Sequence, residues 1–126
     1  MNRVVVDASA LAALVFDEPE GDAVAKQLEG ATVFAPSLLK LELANTALKK
    51  ARRHKSDAAK ILAALSAARE SWAGISWRDV DVADVVLVAQ ATGLSAYDAS
   101  YLWLAGSVGA DLVTLDRRLA RAADAI

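Results

Sequence analysis

An α/β fold, with a parallel twisted sheet and helices on both faces, is what this sequence predicts. Three observations predict it. Short, β-branched apolar runs recur between longer stretches with helical periodicity. The segments follow the order β-α-α-β-α-α-β-α-α-β-α, and strands separated by helices pair in parallel through crossovers. The chain is rich in alanine, the best helix former, and its 126 residues fit one domain, 1–126, with no linker or repeat to divide it.

The expected strands are Arg3 to Val6, Thr32 to Ala35, Ile75 to Trp77 and Leu112 to Leu115, each brief and bounded by turn or cap residues. Helices fill the gaps. Ser9 to Phe16 and Pro19 to Leu28 occupy the first, with proline taken as a first-turn residue. Ser37 to about Arg53 reads as a long helix, and Ser56-Asp57 as the cap of a return helix to about Trp72, giving a helical hairpin. Asp81 with Asp84 starts a helix that Gly93 ends, and Ser95 starts one that Gly106 or Gly109 ends. Arg117 to Ala123 is the last.

Composition narrows the function. Hydrophobic residues make up 56% and charged residues 24%, enough for a buried core and unlike a disordered chain. The net charge of -2 excludes a polycation, so contact with nucleic acid would need a local basic patch. The absence of cysteine excludes disulfides and thiolate metal sites. Asp7 and Asp17-Glu18 interrupt the apolar N-terminus too early for an export signal, and 82–94 is too short to span a bilayer. A soluble, cytoplasmic protein with no membrane partner is expected.

Four acids are oddly placed. Asp98 is the only charged side chain between Asp84 and Asp111, where burial is costly without compensation. Asp7 follows Val4-Val5-Val6, Glu42 lies within Leu38 to Leu43, and Asp116 follows Leu112-Val113-Thr114-Leu115. Sites in open parallel sheets lie beyond the carboxyl ends of the strands, where Asp7 and Asp116 would sit. Glu42 in the second turn of one helix and Asp98 in the first turn of another can reach the same edge. Converging carboxylates repel each other, and Mg²⁺ or Mn²⁺ relieves that repulsion. A metal so held suits phosphodiester hydrolysis, whereas one histidine and no cysteine argue against zinc.

Each acid also has a plainer role available. Asp7 and Asp116 could cap the helices that follow them, and Ser95 with Asp98 fits an S-x-x-D capping pattern. Glu42 resists that reading, because its helical neighbours Leu38, Leu39, Asn45 and Thr46 include no cation. A merely structural pocket would also want an internal Lys or Arg, and none is expected near these four. The run Lys49-Lys50-Ala51-Arg52-Arg53-His54-Lys55 could meet an RNA backbone beside the cleft through Lys49, Lys50, Arg52 and Arg53. It could equally be a solvated helix end, where cations suit the dipole. The single histidine, His54, lies inside that run and is assigned no catalysis. Trp72, Trp77 and Trp103 stand in apolar contexts and read as core or interface rather than base-stacking residues.

Four segments carry a resemblance across nearly the whole chain: Val4-Val5-Val6-Asp7-Ala8-Ser9-Ala10-Leu11; Ala35-Pro36-Ser37-Leu38-Leu39 with Leu41-Glu42-Leu43-Ala44-Asn45; Gly93-Leu94-Ser95-Ala96-Tyr97-Asp98-Ala99-Ser100-Tyr101; and Leu112-Val113-Thr114-Leu115-Asp116-Arg117-Arg118-Leu119. In this order the chain resembles PIN domains, and among them the VapC ribonuclease toxins of toxin–antitoxin pairs. The resemblance implies a Mg²⁺- or Mn²⁺-dependent endoribonuclease leaving a 5′-phosphate and a 3′-hydroxyl. It implies Asp7, Glu42, Asp98 and Asp116 as the catalytic quartet, with Asp7, Asp98 and Asp116 holding the metal. Ser9, Thr114 and Asn45 would support the site. It also implies a homodimer, a VapB-like antitoxin partner, and a sheet of four or five strands; a fifth would be short or absent at Ala125-Ile126.

Two other classes compete. A phosphohydrolase with an aspartyl nucleophile usually wants a second acid two residues on, where Ser9 stands here. A catalytically silent PIN-like module that binds RNA or protein is the stronger alternative, although all four acids are retained.

Overall fold

Residues 2–125 are described by the computed structural model of the chain. Among them, four strands form one sheet: β1 (Arg3–Val6), β2 (Thr32–Pro36), β3 (Ile75–Arg78) and β4 (Asp111–Val113). The order is β3-β2-β1-β4, with every pair parallel. β1 is central, and Val4, Val5 and Val6 are all buried, as a strand covered on both faces requires. Its register sets Val5 beside Phe34 on one side and Leu112 on the other.

Helices α1 (Ala8–Val15) and α2 (Gly21–Leu28) lead from β1 to β2. The hairpin of α3 (Leu38–Arg53) and α4 (Ala58–Ala68) leads on to β3 in the same direction. Then α5 (Val82–Thr92) and α6 (Ala96–Val108) carry the chain back past β2 and β1 to β4, and α7 (Arg117–Asp124) follows. Right-handed crossovers in opposite directions put the two helix groups on opposite faces, and α6 packs on β1 and β2. The direction of winding reverses between β1 and β4. In open parallel sheets, ligands bind at such a switch point, beyond the carboxyl ends of the strands.

Several boundaries differ from the sequence expectation, each for a local reason. The first helix begins at Ala8, because Asp7 caps it. Pro19 marks a stop rather than a start. Asp17, with φ of 52°, takes the left-handed position after α1, and the Glu18 N–H returns to Ala13 O at 2.9 Å, a Schellman closure. The next helix then begins at Gly21, where a Cβ would stand 2.7 Å from Ala13 O, so α1 and α2 meet backbone to backbone.

Ser56-Asp57 supplies no side-chain cap; Lys55–Asp57 forms a 3-10 turn. The return helix stops at Ala68, and Arg69–Gly74 tightens into a second 3-10 segment. That segment sets Trp72 edge-on to Trp77, centroids 5.9 Å apart, with Trp77 Nε1 donating to Trp72 O and Lys40 Nζ over the Trp77 ring at 4.5 Å. These tryptophans, with Trp103, pack against the core as expected.

β4 ends at Val113, not Leu115. Thr114 and Leu115 leave the ladder because the Thr114 hydroxyl donates to Asp7 and the Leu115 N–H to Ser9 Oγ. Of the two glycines offered as the end of α6, Gly109 (φ 65°) serves, as Gly93 (φ 74°) does for α5. The sheet has four strands among the described residues, and Ile126, where a fifth was weighed, lies outside them. No helix of the described residues is long and apolar enough to cross a membrane.

Candidate active site

Asp7 stands where the switch point opens. Val6 pairs with Val113, and the Asp7 N–H reaches Val113 O at 3.2 Å, so the residue is fixed to the ends of both β1 and β4. It is 4% exposed, an unusual burial for a carboxylate. Oδ1 accepts from the Ala10 N–H at 3.0 Å, which is the N-cap of α1, and from Ser9 Oγ at 2.7 Å. Oδ2 accepts from Thr114 Oγ1.

Both hydroxyls are themselves oriented. Ser9 Oγ accepts from the Leu115 N–H at 3.0 Å, and Thr114 Oγ1 from the Asp116 N–H at 3.0 Å. A hydroxyl that accepts from the backbone has its single proton free to point elsewhere. In both cases it points at Asp7. Residues departing β4 thus build the cradle of a carboxylate more than a hundred positions earlier.

The other acids occupy helix starts at the same edge. Asp116 caps α7, its Oδ1 accepting from Arg118 N at 2.9 Å and Leu119 N at 3.0 Å. Asp98 is in the first turn of α6, where Ser95 is the cap and accepts the Asp98 N–H at 3.1 Å. Its carboxylate makes no hydrogen bond among the described residues, so capping does not explain it. Glu42 lies in the second turn of α3, half-buried, and Oε1 accepts from the Tyr101 hydroxyl of α6.

These acids interact. Burial is the main cause that raises the pKa of Asp7, and the charge of Asp116 adds to it. Burial likewise raises Glu42, with Asp98 and Asp7 pushing the same way. Burial raises Asp98, assisted by Asp116 and Asp7. Each repels at least one other, as groups lining one crevice must.

The expectation that no cation stands near them requires correction. Arg118 lies close enough to Asp98 to favour its ionised form, while its Nη2 donates to Gly93 O at 2.6 Å. Sequence reading also gave Tyr101 no role. Its signal was its position three residues after Asp98, on the same side of α6.

Ser9 and Thr114 are in the cradle as expected. Asn45 is exposed, one turn beyond Glu42, and makes no hydrogen bond among the described residues. The basic run is not drawn to the acids. Lys49 to Arg53 lie seven to eleven residues beyond Glu42, about 10 to 16 Å along α3. Lys50 instead pairs with Glu18 at 3.4 Å and lies over the Phe16 ring, at the end of α1 away from Asp7. His54 caps the C-terminus of α3 and is exposed, clear of the site.

Among the described residues, no three acidic or histidine side chains already stand in coordinating geometry. The donor chemistry nonetheless fits a hard divalent cation: carboxylates alone, repelling one another, with free oxygens on Asp98, Asp116 and Glu42.

Four acids from four separate segments influence one another's ionisation at the carboxyl edge of the sheet, and comparison with known proteins gives the family. The PIN-domain model matches residues 4–125, and the chain belongs to the PIN-domain family. Within it the relatives are of the VapC type. Ribonuclease VapC3 of Pyrobaculum aerophilum is 34% identical over 122 residues, 94% of this chain and 92% of that protein. The crystal structure of PAE2754 from Pyrobaculum aerophilum superposes with a TM-score of 0.74 at 32% identity, covering 96% of this chain and 86% of that one. The sarcin–ricin-loop-cleaving toxin VapC20 of Mycobacterium tuberculosis shares the fold, with a TM-score of 0.66 at 18% identity over 94% of each chain.

Proposed function

We propose that this chain is a metal-dependent endoribonuclease of the VapC toxin type, hydrolysing RNA phosphodiester bonds. The observation that carries the proposal is the convergence of Asp7, Glu42, Asp98 and Asp116, acids that repel one another, at the carboxyl edge where the winding of the chain reverses. Asp7, Asp98 and Asp116 would hold Mg²⁺ or Mn²⁺. Bound there, the ion would supply charge neutralisation for the scissile phosphate and for the attacking water.

The chain's own groups do the rest. Ser9 and Thr114 direct their protons at Asp7, so both of its oxygens are fixed before anything binds. Asp98 projects from the first turn of α6, whose start Ser95 already caps, and Asp116 caps α7 through Oδ1 alone, which leaves the Asp98 oxygens and Asp116 Oδ2 free for a ligand. Glu42 would orient the attacking water. Lys49, Arg52 and Arg53, remote from the acids, would meet flanking phosphates of a bound strand rather than the reacting one. Its VapC relatives make a VapB-like antitoxin the proposed partner, and a homodimer acting in the cytoplasm is part of the same proposal.

Purified protein incubated with a pool of tRNA and rRNA in Mg²⁺, Mn²⁺ or EDTA tests this. Discrete products are expected with metal and none with EDTA or with Asp98→Asn. A chain that binds RNA but yields no products under any metal would instead be a silent PIN-like module.

A further inference from the structure

We propose that Tyr101 is a positioning residue for Glu42, holding that carboxylate by one oxygen so that the other is presented to the reaction. The inference rests on the ribonuclease reading above and assigns a task to a residue that reading leaves idle.

Tyr101 lies on α6, three residues after Asp98, and is 1% exposed. Its hydroxyl donates to Glu42 Oε1 across 59 positions of sequence, joining α6 to α3. Oε2 of Glu42 has no protein partner among the described residues. A glutamate otherwise turns freely about its terminal bond, whose preference is broad and two-fold. One tether removes that freedom and singles out which oxygen remains available. A single helix therefore sets two of the four acids, Asp98 directly and Glu42 through the phenol.

The phenol suits a permanent donor. Burial, then its hydrogen bond to Glu42, then the charges of Glu42, Asp7 and Asp98, raise its pKa above the ordinary value of 10, which favours the donating form. Tyr101 gives up no proton at any step; Glu42 alone faces the water.

The plainer account is a buried hydroxyl that needed an acceptor and found one. A double-mutant cycle separates the two. Steady-state cleavage of a labelled RNA, over a range of RNA concentrations, would be measured for wild type, Tyr101→Phe, Glu42→Gln and the double variant, at saturating Mn²⁺. Tyr101→Phe is expected to lower kcat about ten- to a hundredfold, the worth of a hydrogen bond to a charged group, with KM changed less than about twofold. In the Glu42→Gln background the same change is expected to cost nothing further.

Glu42→Asp, which keeps the charge but cannot reach the phenol, should be as slow as Tyr101→Phe, and equally insensitive to adding it. Equal losses in both backgrounds, or an unchanged kcat in Tyr101→Phe, would overturn the inference and leave the ribonuclease reading standing. A wild-type chain that cleaves no RNA would remove both. Melting curves of Tyr101→Phe, expected within a few degrees of wild type, confirm that the rates compare folded proteins.

Discussion

The carboxyl edge of the sheet and the tip of the α3–α4 hairpin both carry concentrated charge, and the fold treats them in opposite ways. At the edge, four acids scattered between positions 7 and 116 are gathered and partly buried. At the tip, cations contiguous in sequence spread over a helix end, mostly exposed, with Lys50 paired to Glu18. Charges that are neighbours in sequence on a helix point in successive directions, whereas charges that follow strands of one sheet arrive at one line. The difference also appears in cost. The edge holds carboxylates above their ordinary pKa values, a strain the native state carries.

Neutralising the edge should therefore break function and spare the fold. Asp7→Asn is expected to lower cleavage at least about a hundredfold. The amide still caps α1, so its melting temperature in metal-free buffer at pH 7 should equal or exceed that of wild type. A clearly lower melting point would show that Asp7 is held for stability.

Metal should erase the repulsion. Titrating Mn²⁺ against wild type should raise the melting temperature, by about 2.7 kcal/mol of stability at a hundred times Kd. Asp98→Asn should show little of that shift.

The pH dependence has a definite sign. Asp7, Glu42 and Asp98 lie above ordinary values of 3.8, 4.5 and 3.8. Each keeps its proton in the folded state after the unfolded chain has lost it, so its stabilising contribution is largest in acid. That contribution is lost as pH rises through the raised value. In metal-free buffer, the stability gap between Asp7→Asn and wild type should widen in favour of the variant as pH rises above about 4.

The tip should respond least. Combined Lys49→Ala, Arg52→Ala and Arg53→Ala should weaken RNA binding a few-fold, with kcat unchanged. The slope of log affinity against log salt should become shallower by about 0.7 for each RNA phosphate these side chains had neutralised. Lys50→Ala removes a half-exposed ion pair and should change stability by less than about 1 kcal/mol, measured by denaturant unfolding.

What could be read from the chain follows the same division. The order of elements was legible because β-branched runs, serine and aspartate caps and helix-ending glycines are local signals, and Gly93 and Gly109 ended helices as their type suggested. The four acids stand out in the sequence because lone acids in apolar surroundings demand an explanation. Pro19 misled because proline after a helix and proline opening one look alike until the reversal at Asp17 is seen. The end of β4 misled because Thr114 and Leu115 are good strand residues whose polar groups are taken by Asp7 and Ser9 from the far end of the chain. Arg118 and Tyr101 escaped for the same reason: their partners, Gly93 and Glu42, are 25 and 59 positions away.

The pairing of Val6 with Val113 also sets a timetable. A chain emerging from the ribosome can pair β1 with β2 early, but β1's second edge stays bare until β4 has been made. Until then Asp7 lacks the Thr114 hydroxyl, and Asp116 does not yet exist. Contacts so distant in sequence close last. Whatever these acids do, it cannot begin before the segment from Val113 to Asp116 has been made and has reached β1, so synthesis itself imposes a delay on its own product.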